Sequence, residues 1–346
     1  MSSAVTLGAV GDISLAGQVA EDALAHGLDW PFEKMRAILG RADVLFGNME
    51  SVAIPPDFPR EELDPAGLIS ALPGEEIAAA LRRAGFDIMN MAANHVLDAG
   101  SIGFDYTQAC LENAGIVVGG IGYSQTEARQ LKVVEANGLR LGFLCYGEDS
   151  NWTLGHTNPG FAYYQLDTVL EDVRRHRPEV DALIVSIHAD LEFMPTPSVP
   201  RLRNSRAIAE AGATVVLQHH PHVPQGIEMA NGCLICYSLG NFVFDAHTDS
   251  YMRNNGPHTA HSFVLLAEVT QDGVARSSAC RSRSRNPRSS GRRHCRERSG
   301  RRCWPTWPTS TVSCKTRSSS SAPGGRRRGN AWPPCSASSP SATSTT

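Results

Sequence analysis

Residues 199–222 read VPRLRNSRAIAEAGATVVLQHHPH, and their order contains the repeating unit of the fold. Helical patterning over 199–211 stops at Ala211-Gly212, where glycine takes the left-handed conformation that ends a helix without steric cost. The apolar run 214–217 is too short for a helix and is rich in β-branched residues, so it reads as a buried strand. His219, His220, Pro221 and His222 follow at once, placing three imidazoles in one short loop beyond the strand's carboxyl end.

The same helix, Ala-Gly, strand order recurs at Ala84-Gly85 and Ala114-Gly115. Apolar runs predict strands over 5–10, 44–46, 88–91, 139–146, 182–187, 214–217, 234–238 and 263–269. Helical patterns cover 31–39, 75–84, 102–114, 167–176 and 199–211. Alternation of this kind predicts an α/β fold with a largely parallel sheet covered by helices. The proline- and acid-rich stretch 53–73 reads as an irregular loop over one edge.

The formal net charge of -3 over 346 residues hides an asymmetry. Residues 1–275 hold 16 Lys/Arg and 34 Asp/Glu, whereas residues 276–346 hold 16 Lys/Arg and one acid, Glu297. So acidic a body argues against nucleic acid as a partner, because phosphate contacts need clustered positive charge. The expected boundary lies at 275/276, where an Arg, Ser, Pro and Gly composition without hydrophobic period begins. That segment is expected to be a disordered basic tail or the product of a shifted reading frame in a GC-rich gene. No stretch has the roughly 18 apolar residues of a membrane span, and residues 1–17 lack the pattern of a secretory signal. Cys110, Cys145, Cys233 and Cys236 lie in the body, three of them in apolar runs, which predicts buried free thiols in a reducing, cytoplasmic setting.

In open α/β sheets ligands bind beyond the carboxyl ends of the strands. Asp12, Asn48 with Glu50, Asn94 with His95, His188, the His219–His222 cluster and Asn241 all fall at such ends. Each alone has a plainer reading: Asp12 as a helix cap, Glu50 as a surface acid, Asn94 as a turn residue, His188 as a strand-end histidine. Together they predict a shared metal site. Carboxylates and imidazoles suit Zn, Mn or Fe, and a carboxylate can bridge two ions. An ion pair about 3.5–4 Å apart can generate hydroxide near neutral pH and clamp the oxygens of an in-line displacement. Sequence signatures of a serine nucleophile elbow, a phosphate-binding P-loop or a dinucleotide fingerprint are missing.

Six stretches then carry a resemblance. They are Gly11-Asp12 with Leu15 and Gly17, Asn48-Met49-Glu50, Asn94-His95 with Asp98 and Gly100, His188 with Glu192-Phe193, His220-Pro221-His222-Val223 with Gln225, and Tyr237 to Phe242. In this order the sequence resembles the bacterial capsule-synthesis (poly-γ-glutamate biosynthesis) CapA family, which is related to the calcineurin-like metallophosphoesterases. The resemblance implies a metallophosphoesterase-like β-sandwich flanked by helices, four layers α/β/β/α. It implies one or two divalent ions on Asp12, Glu50, Asn94, His188, His220 and His222, with Glu50 bridging. It also implies His95 as a proton donor or transition-state stabiliser, with Asp98 as a second catalytic residue and Asn48, His219 and Asn241 binding substrate. Two departures stand out. The phosphoesterase Asp-x-His pattern has Ser14 at its third position, and the family's His-Trp-Gly is His188-Ala189-Asp190 here, so that Asp190 could add a carboxylate or alter the pocket.

The implied activity is a metal-dependent hydrolase acting on a phosphoester or amide bond of an anionic small molecule or polymer. The alternative is a non-catalytic capsule-assembly or ligand-binding factor with the same fold. Arg82, Arg83, Arg201, Arg203 and Arg206 are either a path for a polyanion or ordinary helix-surface charges.

Overall fold

The computed structural model describes residues 3–59, 63, 67–148, 159–256 and 258–283. The chain first lays down β1 (Val5–Ile13), β2 (Val44–Met49), β3 (Phe86–Asn90) and β4 (Val117–Gly119). It moves to a second sheet with β5 (Lys132–Ala136), β6 (Leu139–Gly147), β7 (Ala182–His188), β8 (Val215–His219), β9 (Ile227–Ala230) and β10 (Cys233–Cys236). It returns to the first sheet with β11 (Asn241–Val243), β12 (His261–Thr270) and β13 (Gly273–Arg283).

The first sheet runs β13-β12-β1-β2-β3-β4 with β11 also paired to β1, and the second runs β9-β10-β8-β7-β6-β5. β1 to β4 run parallel, as do β6, β7, β8 and β10, while β1–β12, β12–β13, β5–β6 and β9–β10 are antiparallel pairs. Leu7, Phe46 and Ile88 of the first sheet share one apolar layer with Phe143, Ile184 and Leu217 of the second. The rings of Phe46 and Phe143 stack there at 5.9 Å. On the outer face of the first sheet, α1 (Gly17–His26), α2 (Gly74–Ala84) and α3 (Gly100–Asn113) bury Ala23, Leu81 and Phe104. The outer face of the second sheet is covered by α4 (Leu166–His176) and α5 (Val199–Ala211) through Val173 and Ile208. This is the four-layer α/β/β/α architecture that the resemblance implied.

The residues alone predicted one largely parallel sheet, and the structure divides it into two. The central strands are apolar on both faces, and such a run reads the same whether its second face meets a helix or another sheet. The predicted helix over 31–39 is a 3₁₀ turn, Glu33–Met35, followed by a single α turn, Arg36–Leu39. α1 was not predicted, because it begins at Gly17 without a side-chain cap and buries only alanines among its apolar residues. Within the loop predicted over 53–73, Val52–Ala53 pairs with Ile69–Ser70. The expected boundary at 275/276 falls inside β13, which pairs with β12 through Arg283. An edge strand is held by backbone hydrogen bonds along its neighbour and can leave its side chains in water, so its polar composition concealed it. Of the tail expected over 276–346, residues 284–346 lie outside the described residues.

Cys110, Cys145, Cys233 and Cys236 are buried free thiols. No helix among the described residues is long and apolar enough to cross a membrane. One close approach prepares the functional end of the sandwich. A Cβ on Gly11 would lie 1.7 Å from the Gly240 carbonyl oxygen, so only glycine lets β11 approach β1 there. The Asp12 N–H donates to that carbonyl at 2.9 Å, and the register sets Asn241 beside Asp12.

Candidate metal centre

The carboxyl ends of both sheets converge on one point. β1 delivers Asp12, β2 ends in Asn48 just before Glu50, and β3 ends at Asn90 before the Asn94-His95 turn. From the second sheet, β7 ends in His188 and β8 in His219, followed by His220 and His222. Asp12, Glu50, Asn94, His188, His220 and His222 are each 2% exposed or less. Their potential ligand atoms form two clusters, Asp12–Glu50–His188 and Glu50–His220–His222, with atoms in each within 4.8 Å of one another. Glu50 belongs to both. Its Oε1 lies 3.8 Å from His188 Nε2 and 3.4 Å from His222 Nε2. Asn94 adds Oδ1 at 2.9 Å from His188 Nε2. His220 and His222 hold positive φ angles of 92° and 57°, a costly conformation for side-chain-bearing residues that turns both imidazoles inward around Pro221.

The electrostatics fit a cation. Both carboxylate oxygens of Glu50 are buried without a hydrogen-bond partner. Burial, then the charges of Asp12, Glu192 and Asp98, hold the Glu50 carboxyl well above the usual carboxylate range. Burial and the neighbouring imidazoles hold His188 well below its usual range, and burial with His222 pushes His220 down to about 3. His188 and His220, held below their usual range beside a buried carboxyl group without a hydrogen-bond partner, belong to a donor set that a divalent ion would neutralise and satisfy together. The mixture of carboxylate, imidazole and amide oxygen suits Mn, Zn or Fe.

Asn48, His219 and Asn241, expected to bind substrate, lie behind these donors. All three are fully buried. Asn90 donates from Nδ2 to Asn48 Oδ1 at 2.8 Å, which directs Asn48 Nδ2 toward Asp12 Oδ1 and His188 Nδ1, each at 3.0 Å. Asn241 Oδ1 contacts His222 Nδ1 at 2.9 Å. His219 packs on Phe46 with its Nδ1 3.5 Å from Asp12 Oδ1, and neither ring nitrogen makes a hydrogen bond. His95 sits nearer the surface, its Nδ1 2.6 Å from Asp98 Oδ2, and that oxygen also accepts the Leu68 N–H. Ser14 is buried, with its N–H on the Val243 carbonyl.

Asp190 does not enter the cluster, because its Oδ2 accepts the N–H of Ser198 at 2.9 Å. The acid that does approach is Glu192, whose Oε1 lies 3.9 Å from the Nε2 atoms of both His220 and His222. Asn90 and Glu192 were missed as site residues. Asn90 ends a strand, and Glu192 lies in a stretch that carries the resemblance, so both positions offered a signal; the loop path that brings Glu192 to the histidines is not legible in the sequence. Of the five arginines, Arg82, Arg83 and Arg206 pair with Asp87, Asp29 and Glu228, and Arg203 is exposed. Arg201 differs: it is buried, gives Nη2 to Glu148 at 2.8 Å, and keeps Nε and Nη1 without a partner.

With this geometry in view, comparison with known proteins is informative. A family model described as bacterial capsule synthesis protein PGA_cap matches residues 6–246. The capsule biosynthesis protein CapA of Bacillus anthracis is 28% identical over 268 residues, covering 73% of this chain and 65% of that protein. The PGA biosynthesis protein CapA of Bacillus subtilis (strain 168) is 28% identical over 239 residues, covering 68% of this chain and 62% of that protein. The chain thus matches less than two thirds of the length of either relative. A crystal structure of a hypothetical protein from Thermus thermophilus superposes with a TM-score of 0.51 at 16% identity, over 81% of this chain and all of that one. That likeness concerns the fold.

Proposed function

The chain belongs to the bacterial capsule synthesis protein family, and from that membership we propose that it is a metal-dependent hydrolase that cuts a phosphoester or amide bond during synthesis of an anionic capsule polymer such as poly-γ-glutamate. The observation that carries this reading is Glu50, a buried carboxyl group with neither oxygen hydrogen-bonded, shared by the clusters Asp12–Glu50–His188 and Glu50–His220–His222. Asp12, Glu50, Asn94, His188, His220 and His222 are the residues that would hold the metal, and Glu50 is the one within reach of both clusters. A bound pair of Mn, Zn or Fe ions supplies Lewis acidity at the scissile centre and lowers the pKa of water.

The chain's own groups do the rest. Asn90, Asn48 and Asn241 orient the ligands, as outer hydrogen-bond partners do in metal sites. His95, part-exposed and braced by Asp98, donates a proton to the leaving group. Arg201 holds an anionic group of the substrate. It lies in the first turn of α5, and its charge acts on His220. Ser205, one turn further along the helix, accepts a hydrogen bond from Gln218 of β8, which fixes the helix so that Arg201 lies toward the strand's carboxyl end.

The test is elemental analysis of the purified protein beside His220→Ala, followed by assay of a generic phosphodiester and of a γ-glutamyl amide with Mn or Zn. About two ions per chain, lost in the variant, and metal-dependent turnover are expected. A folded protein that binds metal and turns over neither ester nor amide would mean that the domain serves capsule assembly without catalysis.

A further inference from the structure

The loop between β7 and α5 is held in a strained shape. Asp190 and Phe193 have positive φ angles of 96° and 60°, which residues with side chains adopt at a cost and keep only when neighbours enforce them. The enforcement is visible. The Asp190 carboxylate accepts the Ser198 N–H, and the Phe193 N–H donates to the Pro221 carbonyl at 2.9 Å. The Phe193 ring meets the rings of His222 at 5.9 Å and Tyr251 at 5.3 Å. Between these fixed points stands Glu192. The Tyr251 hydroxyl donates to its Oε2, and its Oε1 faces His220 and His222.

We propose that Glu192 is a metal ligand, the fourth donor of the cluster formed by Glu50, His220 and His222. The inference rests on the metal-dependent reading above and extends its ligand set. Asn241 Nδ2 donates to the Thr259 carbonyl at 3.1 Å, so Asn241 Oδ1 is the atom that meets His222, and Nδ1 of His222 carries the proton. Nε2 of His222 then faces the cluster, and two carboxyl oxygens converge on it, Glu50 Oε1 at 3.4 Å and Glu192 Oε1 at 3.9 Å. Two carboxyl groups closing on one imidazole nitrogen form a mixed oxygen and nitrogen donor set of the kind that holds a divalent ion.

The spacing agrees. Ligands bound about 2.0–2.2 Å from a common tetrahedral ion are separated by roughly 3.3–3.6 Å, and the observed gaps need only small side-chain adjustments. Donor number agrees too. Asp12, Glu50, His188 and Asn94 make four donor residues on one side of the bridge, and Glu50, His220 and His222 make three on the other. Glu192 brings the second side to four. Its side chain is 20% exposed, against 2% or less for its neighbours, so this ligand stands on the solvent side, where exchange of ions and entry of substrate take place.

Calorimetric titration of the chelated full-length protein with Mn or Zn tests the proposal, comparing wild type with Glu192→Gln and Tyr251→Phe, with circular dichroism to confirm the fold. Wild type should bind two ions. In Glu192→Gln one affinity should fall at least tenfold while the other stays within about twofold, and the cobalt-loaded variant should differ from wild type in its visible absorption. Tyr251→Phe should retain both ions with the wild-type cobalt spectrum. Two ions bound by Glu192→Gln with unchanged affinities and an unchanged cobalt spectrum would overturn the assignment of Glu192 alone. Failure of wild type to bind any divalent ion would overturn the metal-dependent reading along with it.

Discussion

His222 donates its Nδ1–H to Oδ1 of Asn241 at 2.9 Å, and Asn241 is set beside Asp12 by strand register. One amide thus fixes both the ring orientation and the tautomer of a histidine at the centre of the cluster. Asn241→Leu should fold, since the site is bounded by apolar side chains such as Phe244, 5.1 Å from the His222 ring. Its affinity for Mn or Zn should fall about 10- to 100-fold, the usual effect of removing a partner that orients a metal-ligating histidine. Titration calorimetry reads this directly, and an unchanged affinity would remove Asn241 from the ligand-orienting set.

Glu50 should separate stability from metal binding. Its carboxylate is buried with neither oxygen hydrogen-bonded. In chelated protein at neutral pH Glu50→Gln should raise stability, because burial and the charges of Asp12, Glu192 and Asp98 oppose ionisation of Glu50 in the fold and the amide carries no charge. The same variant should lose the stabilisation that added Mn or Zn gives the wild type, because the residue common to both clusters is gone. Urea melts with and without metal check both signs.

Acid should destabilise the chelated protein through its histidines. His188 and His220 titrate below their ordinary range when folded, the latter at about 3, so the unfolded chain binds protons first. Their contribution is complete above about pH 6.5 and is lost as pH falls toward 3. Glu50 acts in the opposite sense: its raised pKa makes acid favour the fold and higher pH oppose it. Denaturation midpoints followed from pH 7 to 4 should therefore fall more steeply in Glu50→Gln than in wild type, and less steeply in His220→Asn.

Arg201 should govern anion affinity and not metal content. Its Nε and Nη1 are buried donors without partners, and the Tyr164 ring lies 4.4 Å beneath the guanidinium. Arg201→Met should weaken binding of inorganic phosphate to the metal-loaded protein by about 10- to 100-fold, equivalent to the ~1.5–3 kcal/mol of a hydrogen bond to a charged group. The metal stoichiometry should stay at the wild-type value. Equal phosphate affinity in the two proteins would leave Arg201 as part of the helix packing only.

Much of this was legible along the chain because the relevant physics is local. Gly85, Gly115 and Gly212 all take positive φ where a helix hands over to a strand, and each was marked by a preceding alanine. The donors follow their strands by at most a few residues, so the end of an apolar run located Asp12, Glu50, Asn94, His188, His220 and His222 without any knowledge of packing. The strand ends also carried Asn48, His219 and Asn241, but their depth was not legible. Whether a strand-end side chain faces solvent or the space between two sheets depends on what packs over it.

What the sequence by itself determined is the inventory: buried strands, helices that stop at glycines, an acidic body, and carboxylate, amide and imidazole donors at strand ends. What only the tertiary structure decided is which of these meet. It set Phe46 against Phe143 to make two sheets from strands that read as one, and it carried β13 along β12 past the expected boundary. It turned Asp190 away to Ser198 while bringing Glu192 to His220 and His222. The physical reason is range. Periodicity and turn chemistry act over a few residues, whereas sheet pairing, loop strain and the field around Glu50 come from groups far apart in the chain.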